Sequence, residues 1–254
     1  MNGSCFVTTQ KPDVCANNDC GANGRCEPYN GSHYECICNL FYDGPRCGIF
    51  KPIEHAAHFN GDAFIEISAD ELPHLSSEKE ESLSLRFKTT TQNGLLMWQG
   101  QQSGVPIAGE DYFSLAITNG YLHYSYELGG GAAHLVSPTR IADGKEHVVK
   151  LSRRGRRGSM YLDDLEEIKG VSSGILAMLN VDGNIFIGGI PSIETNTGGL
   201  HEHNFIGCIA DVRMNGEKLD LMGTAVDGKN VRPCEEWIEP KRHLRFLKKR
   251  KRLQ

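Results

Sequence analysis

The stretch of sequence that decides the fold is Ser82-Leu83-Ser84-Leu85-Arg86-Phe87. Apolar and polar residues alternate along it, so Leu83, Leu85 and Phe87 share one face of an extended chain, as in a strand with one buried face. Further runs of this kind occupy residues 63–67, 94–98, 148–151, 159–162 and 184–187. The sequence therefore predicts a domain built from short strands.

The clearest supersecondary signal is a hairpin. Residues 112–118 and 121–126 are strand-like, and they are separated by Asn119-Gly120, the two-residue turn that hairpins prefer. Helical periodicity is not sustained over 12 residues anywhere in the sequence. Short strands separated by Gly, Asn and Asp clusters predict an all-β sandwich.

The cysteines divide the chain into two modules. Six of them lie between residues 15 and 47, with the spacing C-x4-C-x5-C-x9-C-x-C-x8-C, and 160 cysteine-free residues separate them from Cys208 and Cys234. A stretch as short as 15–47 cannot bury a sufficient core, so it needs cross-links, although six cysteines allow many pairings. Because disulfides persist in oxidising environments, we expect a secreted protein.

Composition limits the classes of protein that the chain could represent. No run of about 18 or more apolar residues predicts a membrane-spanning helix. Residues 2–10 lack the basic start and apolar middle of a signal peptide, so we expect a fragment whose true start lies upstream. Residues 241–254 carry eight positive charges and no acid, whereas the remainder has 19 basic and 32 acidic residues, a net charge of −13. An acidic body suits calcium better than nucleic acid.

The six-cysteine segment resembles an EGF-like module, including the run Tyr42-Asp43-Gly44 before its last cysteine. The resemblance implies the pairs Cys15–Cys26, Cys20–Cys36 and Cys38–Cys47. Asn30 begins a glycosylation sequon. The alternative is that this sequon is not used. Cys5 is left over, and we interpret it as the closing cysteine of a preceding module, with a reactive thiol as the weaker alternative.

The larger region resembles laminin G-like domains. The resemblance rests on the runs at 205–212, 94–100 and 187–191 and on Arg232-Pro233-Cys234, and it is strongest to the last such domain of perlecan-like basement-membrane proteoglycans, with agrin and pikachurin also similar. It implies a jelly-roll sandwich with a Cys208–Cys234 bond. The expected organisation is a remnant or linker at 1–10, an EGF-like module at 11–50, a laminin G-like domain at 55–237 and a basic tail at 238–254.

The same resemblance implies a calcium site on the rim of the sandwich. Its ligands would be the side chains of Asp111 and Asn180 and the main-chain carbonyls of Leu128 and Met178. All four are oxygen donors, which a hard cation requires. The alternative is that Asp111 and Asn180 only cap strand ends.

Two basic segments are candidates for binding glycans. Guanidinium groups can contact sulfate or carboxylate in a bidentate manner. The alternative for the loop is a solvated turn, and the alternative for the tail is an appendage without a role. The residues concerned are Arg153, Arg154, Arg156 and Arg157 in a predicted hairpin loop and Lys248, Lys249, Arg250, Lys251 and Arg252 in the tail.

Other motifs give weaker signals. The run His201-Glu202-His203 lacks a third metal ligand at an obvious spacing, so we interpret it as a solvated loop. Nucleophile-elbow, zinc-protease and phosphate-loop motifs do not occur in the sequence. We therefore expect a protein without catalytic activity.

The preferred interpretation is the C-terminal part of a basement-membrane proteoglycan, acting as a matrix adhesion module. The family implies Ca²⁺, acidic glycans, matrix proteins and cell-surface receptors such as integrins and dystroglycan as ligands and partners, with heparan sulfate as a further one and no nucleic acid. An agrin-like signalling ligand is the alternative, although the short loop inserts that it requires are not evident. A hydrolase on a similar sandwich would require paired carboxylates in a cleft.

Overall fold

A computed structural model of the protein describes residues 13–29, 32–71, 80–101, 111–163, 165–235 and 237. It contains one short α-helix, α1 (Ile193–Asn196), and a 3-10 turn at Ala69–Glu71. The strands, in chain order, are β1 (Gly24–Pro28), β2 (Tyr34–Cys38), β3 (Tyr42–Asp43), β4 (Ile49–Phe50), β5 (Ala56–Asn60), β6 (Phe64–Ile67), β7 (Glu80–Lys88), β8 (Gly94–Gln99), β9 (Tyr112–Thr118), β10 (Tyr121–Glu127), β11 (Ala133–Arg140), β12 (Glu146–Arg154), β13 (Arg157–Leu162), β14 (Ile168–Val171), β15 (Ile185–Ile187), β16 (Ile206–Met214), β17 (Glu217–Lys218), β18 (Ala225–Lys229) and β19 (Arg232–Pro233).

Two large sheets form the sandwich. One has the order β11-β10-β9-β8-β15-β6-β18, and the other has the order β14-β13-β12-β7-β16-β5-β19, with β17 added beside β16. The pairs within both sheets are antiparallel. The predicted all-β sandwich is confirmed, and so is the hairpin, because β9 and β10 pair around Asn119 and Gly120.

Strand alternation builds the core between the sheets. In β7, Leu83, Leu85 and Phe87 are buried, as the opening stretch of sequence predicts. The same alternation in β12 buries Val149 and Leu151 opposite them. Aromatic rings fill the centre of the sandwich, and each of them is almost fully buried: Phe59, Phe87, Tyr124, Tyr126 and Phe205.

The disulfide bonds follow the pairing that the resemblances imply. Cys15–Cys26, Cys20–Cys36 and Cys38–Cys47 cross-link the small module, in which β1 pairs with β2 and β3 pairs with β4. In the sandwich, Cys208 of β16 is bonded to Cys234, which directly follows β19. Both of these strands flank β5, so the bond ties the two neighbours of β5 together.

The two modules are in direct contact. Asn39 forms an isolated antiparallel bridge with Lys229 of β18, and Leu40 packs against the core of the sandwich. A Cβ atom on Gly228 would lie 2.6 Å from Leu40 Cδ1 and 2.9 Å from the backbone oxygen of Phe64, so a larger residue would force this junction to shift. The Asp43 carboxylate, buried at the junction, binds Lys51 at 2.7 Å and Arg232 at 3.2 Å.

Candidate functional site

The predicted calcium ligand Asp111 immediately precedes β9 at one end of the sandwich. Its side chain is only 6% exposed, and its Oδ2 atom accepts hydrogen bonds from the backbone N–H of Asn180 at 2.6 Å and from Asn180 Nδ2 at 3.2 Å. Burial raises the pKa of the Asp111 carboxyl above its ordinary value, and these two bonds oppose the shift. The fold thus brings together two residues that are 69 positions apart in the sequence.

The predicted carbonyl ligands are carried by neighbouring segments. In the β9–β10 ladder Tyr112 is opposite Glu127, so the next positions outward, Asp111 and Leu128, leave the hairpin side by side. Met178 precedes Asn180 by two residues in a loop without regular structure. The Asn180 amide turns its nitrogen, not its oxygen, towards Asp111, so ligation through its side-chain oxygen requires the amide to rotate.

A second buried carboxylate, Glu127, was missed by the sequence analysis. Its Oε1 atom accepts backbone N–H bonds from Leu128 at 3.1 Å, Gly130 at 2.8 Å and Gly131 at 2.7 Å. Its negative charge also contributes to raising the pKa of Asp111. The signal was present in the sequence, because the glycines of the run Glu127-Leu128-Gly129-Gly130-Gly131 let the chain fold back so that backbone N–H groups converge on one oxygen.

The donor set at this end of the sandwich fits a hard cation. It combines the Asp111 carboxylate, a second carboxylate nearby, an amide and main-chain carbonyls, all of which supply oxygen. Within the described ranges no group of three or more His, Cys, Asp or Glu side chains could hold a metal ion. A site here would therefore depend on carbonyl oxygens as well as on carboxylates.

The prediction of four solvent-facing guanidiniums in one loop is corrected by the structure at Arg153. The hairpin exists, with β12 and β13 joined at Gly155-Arg156, but Arg153 is 1% exposed and binds Glu81 through two of its nitrogens. Arg154 and Arg157 are exposed. Arg156 donates to the carbonyl of Gly174 at 2.5 Å. Arg153 is therefore not available to a glycan at the surface.

The interpretation of 201–203 as a solvated loop is wrong for His201. This side chain packs edge-to-face on Trp98, with ring centroids 5.9 Å apart, and its Nε2 lies 2.7 Å from Ser114 Oγ. Burial, aided by the charge of His123, lowers the pKa of His201 to about 4. His203 is exposed, and among the described residues the two imidazoles are not part of a group of three or more His, Cys, Asp or Glu side chains that could hold a metal ion.

Several predicted sites lie outside the described residues. These are Cys5, Asn30 and the basic tail with Lys248, Lys249, Arg250, Lys251 and Arg252. They stay predictions.

Comparisons with known proteins agree on the family. The sequence model described as "Laminin G domain" matches residues 87–220. The chain is 60% identical over 242 residues to a basement membrane proteoglycan of Caenorhabditis elegans, covering 95% of this chain and 7% of that relative. It is 32% identical to pikachurin of Bos taurus, covering 87% of this chain and 22% of the relative. The chain thus spans less than a quarter of the length of these curated relatives.

Solved structures agree on the fold. Domains LG4-5 of the mouse laminin alpha1 chain superpose with a TM-score of 0.61 at 22% identity, covering 90% of this chain and 52% of theirs.

The similarity to basement-membrane proteoglycans, together with the disulfide bonds, places the protein in the extracellular matrix. In the part of the chain that the structure describes, no helix has the length and apolar character needed to cross a membrane. Because the family match extends over more than half of its residues, the chain belongs to the laminin G domain family.

Proposed function

We propose that the protein is a non-catalytic adhesion module of the extracellular matrix that holds Ca²⁺ at Asp111, Asn180 and the carbonyls of Leu128 and Met178. The observation that carries the proposal is the buried Asp111 carboxylate. Burial raises the pKa of this carboxyl in spite of the two hydrogen bonds from Asn180 and the attraction of Arg153, so the ionised form is costly. A divalent cation at this position would offset that cost and favour the ionised carboxylate.

Bound calcium would supply a positive centre to which an acidic sugar can attach through its own oxygens. With few formal charges among its ligands, such a site is expected to bind Ca²⁺ with a dissociation constant of roughly 10⁻⁴–10⁻³ M, as in other extracellular modules. The acidic glycans of cell-surface receptors, such as that of dystroglycan, are the proposed ligands, and integrins and matrix proteins are further proposed partners.

Thermal unfolding with and without calcium tests this site. Because a ligand that binds only the native state stabilises it, 10 mM calcium is expected to stabilise the domain by about 1–3 kcal/mol. Asp111→Asn removes the charge while keeping the shape of the side chain, so it is expected to abolish the calcium response.

Asp43→Asn is the matched control, because Asp43 is also a buried acid but lies at the junction with the small module. Its response to calcium should equal that of the wild-type protein. An equal response in Asp111→Asn would contradict the assignment.

Sulfated glycans would bind the basic segments that remain accessible. The exposed Arg154 and Arg157 lie on the β12–β13 hairpin, and Arg156 lies between them. The tail carries more positive charge and no acid, so we expect it to dominate retention on heparin.

Heparin chromatography in a salt gradient separates the two contributions. A chain ending at Glu239 should elute much earlier than the intact chain, and Arg154→Ser/Arg157→Ser should shift the truncated chain slightly further. Co-elution of the intact and truncated chains would refute the role of the tail.

A further inference from the structure

The buried arginine of β12 forms an ion pair with a residue of β7, the neighbouring strand of the same sheet. In the β12–β7 ladder Arg153 is opposite Glu81, and its Nε and Nη2 atoms lie 2.7 and 3.3 Å from the two Glu81 carboxylate oxygens. Burial raises the pKa of the Glu81 carboxyl, and the guanidinium of Arg153 opposes that shift. A buried pair of this kind is weak evidence for stability, so its position needs another explanation.

The remaining nitrogen of Arg153 supplies that explanation. Its Nη1 atom donates to the carbonyl of Gly155 at 2.7 Å and to the carbonyl of Ala177 at 3.2 Å. Gly155 is in the turn of the β12–β13 hairpin, whereas Ala177 is in the loop that leads to Met178 and Asn180. One guanidinium therefore connects the hairpin turn to the segment that carries two of the proposed calcium ligands.

The start of that segment is largely exposed to solvent. Residues 174–182 pair with no strand, and Ile175 is 92% exposed, with Leu176 and Met178 also exposed. Hydrophobic burial acts through Leu179 and Val181, both of which follow Ala177, so the carbonyl contacts at Gly174 and Ala177 fix the preceding part of the loop. Both of those contacts come from arginines of the hairpin.

We propose that Arg153, held in place by Glu81, is a positioning residue for the calcium site. It fixes the carbonyl of Ala177, and through it the Met178 carbonyl and the Asn180 side chain beside Asp111. This inference rests on the proposed function for the identity of the ion, but not for the contacts themselves. Only a guanidinium can bind Glu81 through two nitrogens and still reach a carbonyl with a third, so lysine cannot replace it.

The first test follows the Asn180 amide by hydrogen exchange in calcium-free buffer with chelator. The Asn180 N–H donates to Asp111 in the wild-type protein, and loss of the Arg153 contact to Ala177 is expected to make it exchange about tenfold faster in Arg153→Lys. The amide of Ile141, which bonds Gly120 at the opposite end of the β9–β10 hairpin, should not change. Equal acceleration at both amides would indicate general destabilisation and overturn the proposal.

The second test measures calcium affinity by titration. Arg153→Lys is expected to weaken it about tenfold, as is typical when a residue that orients metal ligands is lost. Arg86→Lys is the control, because Arg86 is a partly buried arginine of the same sheet whose ion pairs join it to Glu146 of β12 and Asp211 of β16. Should Arg153→Lys destabilise the fold, Glu81→Leu/Arg153→Met replaces the whole pair by apolar residues of similar size.

The double variant is expected to fold and to show the same loss of affinity. Wild-type affinity in it would overturn the proposal. If the wild-type protein binds no calcium, the proposed function fails, whereas the exchange of the Asn180 amide still decides whether Arg153 holds the loop.

Discussion

The small module and the sandwich solve the same problem of stability in different ways. Among the described residues of the small module, Ile37 is the single buried side chain that is neither a cysteine nor charged, and three disulfides cross-link it. The sandwich has one disulfide and a continuous core of 35 buried side chains. The difference shows that cross-links replace a core where the chain is too short to bury one.

The largest difference between the two modules is expected when their disulfides are removed. Cys20→Ser/Cys36→Ser is expected to unfold the small module, because loss of a native disulfide from such a domain often abolishes its folding. Cys208→Ser/Cys234→Ser should cost the sandwich about 3–4 kcal/mol on the chain-entropy model and leave its β structure in place.

Hydrogen exchange of each variant at neutral pH measures the stability of each module separately. A sandwich that unfolds without its single disulfide would show that its core is weaker than the comparison requires.

The next largest difference between the modules is expected when the pH falls. Acid should lower the stability of the sandwich, because the sandwich buries a histidine. His201 takes up a proton near pH 6.5 when unfolded but near pH 4 when folded, so the unfolded state binds more protons between these values. The free energy of unfolding of the sandwich should therefore fall by about 3 kcal/mol as pH falls from above 6.5 to 4.

Urea unfolding of the wild-type protein and of His201→Gln between pH 7 and pH 4, in calcium-free buffer, checks this. The variant should lose less stability over the window. Identical slopes in the two proteins would show that His201 does not carry the effect.

The smallest effect is expected at the junction between the modules. Asp43→Asn removes the charge that binds Lys51 and Arg232, both of which are partly exposed, so the expected loss is about 1 kcal/mol in the small module. Asp19→Asn is the control, since the Asp19–Arg46 pair lies within the small module and is exposed.

Amide exchange of Asn39, whose N–H donates to the carbonyl of Asn23 beside the bridge to Lys229, follows the part of the small module that faces the junction. Faster exchange in Asp43→Asn than in Asp19→Asn is expected. The reverse order would show that the ion pairs of Asp43 do not join the modules.

Much of the fold could be predicted because local patterns agree with the final architecture. The alternation in β7 and the Asn119-Gly120 turn are local signals, and each corresponds to an element of the sandwich. Asp111 and Asn180 came from a family resemblance, since residues so far apart in sequence carry no local sign that they meet.

Arg153 shows why the rest could not be predicted by residue type alone. Four arginines around Gly155 look equivalent as a basic cluster, yet β12 buries every second side chain and Arg153 continues the series of Val149 and Leu151. Glu81 is in the same phase as Leu83 on β7, so alternation followed to the strand ends would have suggested a buried pair. Its contact with Ala177 depends on tertiary packing and has no signal in the sequence.

The position of β5 has a mechanical consequence. The chain passes from the small module through residues 51–55 into β5, which is hydrogen-bonded to β16 on one side and to β19 on the other. Because β5 and β19 are antiparallel, the first residue of β5 lies beside Cys234, whose N–H donates to the carbonyl of Ala56, so tension arriving through the small module enters the sandwich at this pair. The Cys208–Cys234 bond joins the two strands that flank β5, so a covalent link spans the strand that receives the pull of the neighbouring module.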